Sequence, residues 1–238
     1  IKTKYNKNYW NIIYKSNNSY NFIQSKYLLV CSGLFNQKTI PNIISIDKFK
    51  GNIYHSKDLD SSFNNIDIIN NKILIIGNGA SCSDLLFKLK DNKNKILVLY
   101  KTPKWYVKRY IFGISISFII CNFVLQFSKL LPEKIFIFMF YILLKIGFSN
   151  NLPTPNKKVS YKNLVADDNI IDLNKKDKIE MIKGKIIDIQ DKKVKIQGKD
   201  IIYKKHIDVI IFATGYSNDL NFLNLKHLPQ CNNNIVNV

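Results

Sequence analysis

Lys72-Ile73-Leu74-Ile75-Ile76, then Gly77-Asn78-Gly79-Ala80-Ser81-Cys82-Ser83-Asp84, then Leu85-Leu86-Phe87-Lys88-Leu89 and Ile96-Leu97-Val98-Leu99-Tyr100 form the stretch whose reading decides the fold. The first and last runs are continuously apolar, as in strands buried on both faces of a parallel sheet. The middle run has helical spacing. Strand, glycine turn, helix and strand in that order predict one βαβ unit. A helix that begins beside a tight glycine turn points free N–H groups and its dipole at an anion. Gly77 lets the chain turn off the strand, and Gly79 lets the backbone approach a pyrophosphate with no Cβ in the way. Cys82 stands where the common pattern has a third glycine, a position that serves close helix–strand packing. Gly77, Asn78, Gly79, Ala80, Ser81 and Cys82 are therefore the expected dinucleotide-binding turn.

The end of the second strand selects the nucleotide. A site for NAD carries an acidic residue there, about 20 residues on, to hold the ribose 2′-hydroxyl. Here the strand runs into Lys101 and Thr102, with Lys104 and Arg109 beyond, while Asp91 falls too early. Cations at this point suit a 2′-phosphate, so NADP is the expected cofactor, bound with the help of Lys101, Thr102 and Arg109.

Working outward, Tyr9 to Tyr14 and Tyr20 to Ile23 alternate as half-exposed strands do. Tyr27-Leu28-Leu29-Val30 reads as a buried strand ending in Cys31-Ser32-Gly33. Near the other end, Ile179 to Ile182, Ile186 to Ile189, Lys193 to Ile196 and Ile201 to Tyr203 read as a meander leading to the buried run Val209 to Phe212. That run ends in Ala213-Thr214-Gly215-Tyr216. The chain thus twice builds a meander, a buried strand and a small turn. Residues 110–148 are strongly apolar but interrupted at Ser115, Ser117, Asn122, Gln126 and Pro132-Glu133-Lys134. They read as a buried helical pair, with peripheral contact to a membrane surface as the alternative, since a span needs about 20 mostly apolar residues.

The formal charge of +19 raises nucleic acid as a partner, yet Arg109 is the only arginine among 36 basic residues. Surfaces that read bases and clamp phosphates favour arginine's planar fork. Lysine spread evenly with Asn and Ile points to coding bias, and no nucleic-acid partner is expected. Cys31, Cys82, Cys121 and Cys231 show no metal-ligand or redox spacing, and His55, His206 and His227 lie far apart, so no metal is expected. Four unpaired cysteines and no signal peptide suit a reducing, cytoplasmic setting.

Five segments in order resemble the flavin-containing monooxygenase family. They are Val30 to Phe35 with Ile40-Pro41; Phe49-Lys50-Gly51-Asn52-Ile53-Tyr54-His55-Ser56-Lys57-Asp58; Gly77 to Asp84; Pro103 to Arg109; and Ala213-Thr214-Gly215-Tyr216. The second is similar to the family's Phe-x-Gly-x-x-x-His-Ser-x-Asp fingerprint, carried by Phe49, Gly51, His55, Ser56 and Asp58. Leu59 follows it, where the Baeyer–Villiger branch has tryptophan. Cys31-Ser32 replaces the usual Ala-Thr.

The resemblance implies an α/β flavoprotein with two dinucleotide-binding domains, a Rossmann-like NADP domain being inserted into an FAD domain. Residues 1–65 and 206–238 are then expected as a partial FAD-binding domain. Residues 66–205 are expected as the NADP domain, carrying the helical insertion 110–148. FAD and NADP are the implied cofactors, with Ser32, Gly33, Thr214 and Gly215 at nucleotide-facing turns. The implied reaction passes hydride from NADPH to FAD, and a hydroperoxyflavin then oxygenates nitrogen or sulfur on a small molecule, consuming dioxygen. The family's first glycine-rich turn, which receives the FAD pyrophosphate, is expected ahead of residue 1, so the chain reads as a fragment. Two alternatives stand beside this reading. One is a degenerate, non-catalytic NADP-binding or interaction protein derived from the family. The other, a disulfide reductase, lacks its cysteine pair.

Overall fold

The structure, a computed structural model, describes residues 1–6, 8–33, 35, 37–59, 68, 70–90, 94–111, 113–119, 122, 135, 138, 152, 164–217 and 223. In chain order the strands are β1 (Lys2–Asn6), β2 (Tyr9–Ser16), β3 (Ser19–Ser25), β4 (Gln37–Lys38), β5 (Asn52–His55), β6 (Lys72–Ile76), β7 (Lys95–Tyr100) and β8 (Trp105–Val107). They continue as β9 (Tyr110–Ile111), β10 (Ile114–Ser115), β11 (Leu164–Ala166), β12 (Ile179–Lys183), β13 (Lys185–Gln190), β14 (Lys193–Gln197), β15 (Ile202–His206), β16 (Val209–Phe212) and β17 (Tyr216–Ser217). The helices are α1 (Ala80–Leu89), α2 (Ile116–Ile119) and α3 (Asn169–Lys175).

The contacts divide the chain into two compact units, Ile1–Thr39 with Tyr216–Val238, and Ile40–Gly215. In the larger, five parallel strands lie in the order β12-β7-β6-β16-β5. Alternate residues of these strands enter two cores. On one face Ile73, Ile75, Ile96, Val98, Ile179, Val209 and Ile211 meet Cys82, Leu85, Leu86 and Leu89 of α1 and Ile170, Ile171 and Leu173 of α3. On the other, Leu74, Leu97, Leu99, Ile182, Ile210 and Phe212 meet Ile189, Val194 and Ile196 of the antiparallel meander β13-β14-β15. A sheet covered on both faces accounts for the continuous apolar runs: every residue of β16 is buried. The molecule is α/β, with a Rossmann-like βαβ unit, β6-α1-β7, at its centre.

Several elements differ from their sequence expectation. The units do not follow the expected divisions at 65/66 and 205/206. Both β5 and β16 hydrogen-bond in parallel into the sheet that carries Gly77, so the fingerprint and the run Val209 to Phe212 pack with the expected NADP domain. Ile179 to Ile182 pairs in parallel with β7 as the sheet's edge and not with the meander. Tyr27 to Val30 is not a strand: Leu29 is 86% exposed, and no neighbouring backbone among the described residues pairs with the run. An apolar run becomes a buried strand only where a sheet receives it.

Tyr110–Ile111 and Ile114–Ser115, expected to open a helix, pair as the antiparallel strands β9 and β10, with Gly113 between them at φ +78°. Most of 116–148 lies outside the described residues. Among the described residues, no helix is long and apolar enough to cross a membrane. The smaller unit is built on the antiparallel sheet β1-β2-β3, whose second hairpin turns at Asn17-Asn18, both with positive φ.

Candidate functional site

The five parallel strands end on one edge of the sheet, so residues distant in sequence converge there. His55 closes β5, Ile76 closes β6, Tyr100 closes β7 and Phe212 closes β16. The chain leaves β6 towards β7, while β16 lies against its other side. Such a change of strand direction opens a crevice at the carboxyl ends of the strands, where α/β proteins bind ligands.

Gly77 sits in that crevice at φ +111°, its N–H donating to the Leu99 carbonyl at 2.8 Å. A Cβ at this position would collide with the Ala213 carbonyl oxygen. Glycine is therefore required twice here, by the dihedral and by the close approach of the turn after β16. Ala213 N–H in turn donates to Ile76 O at 2.8 Å, which fixes Ala213-Thr214-Gly215 beside the glycine turn.

Gly79 differs. It is the N-cap of α1 with φ −89°, and a Cβ built on it would meet nothing within 4 Å. The first helical hydrogen bond runs from Cys82 N to Gly79 O, at 3.1 Å, so the N–H groups of Gly79, Ala80 and Ser81 precede the helical ladder. A helix N-terminus whose first amides precede the ladder, at a cap residue with no side chain, is the geometry an anion uses.

The side chain of Asn78 is folded inward. Its Nδ2 donates to Thr102 O at 3.0 Å, and its own carbonyl accepts from the buried Tyr106 hydroxyl at 3.0 Å. These bonds tie the glycine turn to the end of β7 and place exposed Lys101 and Thr102 beside it. Arg109 reaches α1 instead, 3.9 Å from the Asp84 carboxylate, with both side chains at least half exposed. Cys82 is fully buried against the sheet, as expected for the third-glycine position. Burial, and secondarily the nearby Asp167, push its thiol far above the ordinary range, so it is an inert packing residue.

The fingerprint has a structural logic of its own. The Phe49 ring lies on Gly51, where a Cβ would strike both that ring and the Asp208 carbonyl. β5 then delivers His55, 1% exposed, with both ring nitrogens engaged. Lys57 N–H donates to Nδ1 at 3.2 Å, and Nε2 lies 3.1 Å from the Gly215 carbonyl. An accepting Nδ1 and a facing carbonyl require the neutral tautomer with hydrogen on Nε2. Asp58 accepts from His55 N–H at 3.0 Å, and Ser56 is buried beside it. Leu59 belongs to the core. Gly215, which accepts this contact, has φ +86°, and Thr214 is half-buried next to it. Ser32 and Gly33, the latter at φ +76°, are exposed and belong to the smaller unit.

Two residues escaped sequence reasoning. Asp167 is fully buried, its carboxylate accepting from Asn169 N at 2.8 Å and Ile170 N at 3.0 Å, where it caps α3. An acidic pair just ahead of the apolar Ile170-Ile171 was the available signal. Tyr106, whose phenol burial holds far above its usual range, clamps Asn78 and left no pattern to find. Among the described residues, no three His, Cys, Asp or Glu side chains cluster in a way that could hold a metal.

A parallel sheet, a glycine turn against the neighbouring strand end and an open helix N-terminus define a dinucleotide-binding protein of the Rossmann-like class. The chain belongs to the flavin-binding monooxygenase-like family, whose model matches residues 4–237. It is 25% identical over 198 residues to the probable indole-3-pyruvate monooxygenase YUCCA10 of Arabidopsis thaliana, covering 82% of this chain and 50% of the relative. It is 25% identical over 238 residues to dimethylaniline monooxygenase [N-oxide-forming] 2 of Cavia porcellus, covering 96% and 43%.

Among solved structures, the fold is similar to that of OTEMO in complex with FAD and NADP, with a TM-score of 0.59, 17% identity, and 90% of this chain against 52% of that one. It is also similar to cyclohexanone monooxygenase from Rhodococcus sp. Phi1 bound to NADP+, with a TM-score of 0.57, 14% identity, and coverage of 88% and 49%. The chain spans about half the length of the curated relatives it matches.

Proposed function

We propose that this chain binds NADPH at the Gly77 turn and serves a flavin-dependent monooxygenase that oxygenates nitrogen or sulfur on a small molecule. One observation carries the nucleotide assignment. Gly79, the N-cap of α1, has open space where a Cβ would stand, and Asn78 bonds to Thr102, the residue after Lys101. The pyrophosphate would lie against Gly79, Ala80 and Ser81, with the ribose 2′-phosphate near Lys101, Thr102 and Arg109. Asp84 partly offsets Arg109, so Lys101 is the stronger determinant.

NADPH supplies a hydride and FAD, when bound, activates dioxygen; the protein binds, orients and keeps water away. For FAD this chain offers the turns at Ser32, Gly33, Thr214 and Gly215. Thr214 and Gly215 follow Ala213, which lies against the Gly77 turn, while Ser32 and Gly33 belong to the smaller unit. Resemblance to N-oxide-forming relatives and a Leu59 where Baeyer–Villiger members have tryptophan support the choice of nitrogen or sulfur.

A second reading, an NADP-binding protein without flavin chemistry, is favoured by the exposed run Tyr27 to Val30, which leaves Ser32 and Gly33 without a strand to close. Titration with NADPH and NADH, followed by quenching of Trp10 and Trp105, tests the nucleotide site. Lys101→Ala is expected to cost about 1–3 kcal/mol for NADPH and nothing for NADH. Equal losses for both coenzymes would refute the 2′-phosphate assignment. Flavin content after purification separates the two readings.

A further inference from the structure

The glycine turn is anchored on both sides of one peptide unit. Gly77 N–H donates to the Leu99 carbonyl, the Asn78 side chain to Thr102 O, and Gly79 O accepts from Cys82 and Ser83 N–H at 3.1 and 3.2 Å. Between these anchors stands the peptide that joins Asn78 to Gly79. Flipping such a unit changes φ of the residue that follows it, and glycine accepts most values of φ. Gly79 therefore offers little steric resistance to a flip, which would exchange the directions of Asn78 C=O and Gly79 N–H.

A distant side chain holds this unit. Tyr106 is fully buried in the core that contains Cys82, Val165 and Ile170, and its hydroxyl donates to the Asn78 carbonyl at 3.0 Å. Its strand, β8, is itself fixed by parallel pairing with β11 and by Asp167 N–H donating to Val107 O at 2.8 Å. In a trans peptide the carbonyl and the N–H point to opposite sides. A carbonyl bound to the buried phenol therefore turns the Gly79 N–H away from it, and among the described residues that N–H has no acceptor. The bond to the carbonyl also polarises the unit, which strengthens its N–H as a donor. An anion at the start of α1 meets an N–H in this state and would meet a carbonyl oxygen after a flip.

We propose that Tyr106 is a positioning residue for the coenzyme pyrophosphate, its hydroxyl fixing the 78–79 peptide so that the Gly79 N–H is presented to the anion. The proposal rests on the reading of the Gly77 turn as the NADPH site. Tyr106 acts through the backbone and touches no coenzyme atom. Its effect is confined to the pyrophosphate, which every nicotinamide dinucleotide shares, whereas Lys101 bears on the 2′-phosphate alone.

The test is NMR titration of the full chain with NADPH, NADH and 2′-AMP, in wild type and in Tyr106→Phe, which keeps the ring and removes only the donor. NADPH and NADH should each weaken by about tenfold, the scale of one hydrogen bond to a charged group. The affinity for 2′-AMP, which carries the 2′-phosphate but no pyrophosphate, should stay as in wild type. The Asn78 carbonyl carbon and the Gly79 amide should shift in the variant, while the signals of 170–173 hold still. In wild type the Tyr106 hydroxyl proton should exchange slowly, a check that needs no variant. The proposal is overturned by an NADPH affinity that Tyr106→Phe leaves unchanged, by an equal loss for all three ligands, or by a rapidly exchanging hydroxyl. A wild type that binds none of the three would strike the Gly77 reading itself and this proposal with it; wild-type binding that the variant retains strikes the proposal alone.

Discussion

Gly77 and Gly79 lie two residues apart and should fail in opposite ways when each is replaced by alanine. At Gly77 the backbone sits at φ +111°, and an added Cβ meets the Ala213 carbonyl, part of the neighbouring turn's main chain, which cannot swing aside as a side chain would. The dihedral alone costs roughly 1–2 kcal/mol for an L-residue. Overpacking adds about 1–3 kcal/mol. Gly77→Ala should therefore lose about 2–5 kcal/mol, read as a lower urea midpoint at unchanged slope.

At Gly79 the dihedrals suit alanine and the new methyl enters open space, so only an N-cap preference of about 1 kcal/mol or less is at stake. That methyl, however, stands where the pyrophosphate would approach. Gly79→Ala should keep a near-native melt and lose NADPH binding by about tenfold or more. A Gly79→Ala protein that binds NADPH like the wild type would sink the assignment of the open space to the coenzyme. Wild-type stability in Gly77→Ala would refute the claim that the turns after β6 and β16 are pressed together.

Three further outcomes follow from the same geometry. Nitrogen-15 NMR of His55 should report the tautomer with hydrogen on Nε2, and His55→Ala should cost about 1–3 kcal/mol by stranding Lys57 N–H and the Gly215 carbonyl; a hydrogen on Nδ1 would contradict the bonding described. A thiol reagent followed by peptide mass spectrometry should label exposed Cys31 in the native chain and Cys82 only after unfolding. Rapid native labelling of Cys82 would show that α1 does not pack as described. Lys72 N–H, and then Lys192, hold the Asp208 carboxyl below the ordinary carboxylate range. The stabilisation from Asp208 is then present above that range and is lost as pH falls through the depressed value of the folded state. Asp208→Asn should flatten this part of the acid limb, and an unchanged limb in pH-dependent melts would count against the bond.

The legible parts of the fold are the local ones. The βαβ unit β6-α1-β7 announces itself because its strand, turn and helix signals are contiguous, and β13-β14-β15 because antiparallel neighbours are joined by short charged turns. Parallel pairing carries no such local mark. Nothing in Val209–Phe212 says that it lies between β6 and Asn52–His55, and Ile179–Ile182 has the same composition as its meander neighbours. The run Tyr27 to Val30 shows the converse: apolar character specifies a buried strand only where hydrogen-bonding neighbours exist. At the candidate site, Gly77, Gly79, Cys82 and His55 are readable from pattern, although of the two glycines only Gly77 occupies a position closed to other residues by its dihedral and its neighbours. Tyr106 and Asp167 act on backbone groups brought near only by the fold.

The placement of β16 beside β6 also sets a timetable for synthesis. The strand that closes the open side of β6 begins at Val209, and Asp208, which bonds to Lys72, lies 136 residues further along the chain. At 5–20 residues per second a ribosome needs roughly 7–27 s to make that segment. Throughout that interval β6 and β7 can pair with each other, yet the far edge of β6 presents unpaired backbone on a strand that is apolar from Ile73 to Ile76. Such an edge is a template for pairing with other chains. The nascent protein therefore has a window in which its most ordered element is also its most adhesive, and a holding chaperone would shorten the odds against it by covering that edge until Val209–Phe212 arrives.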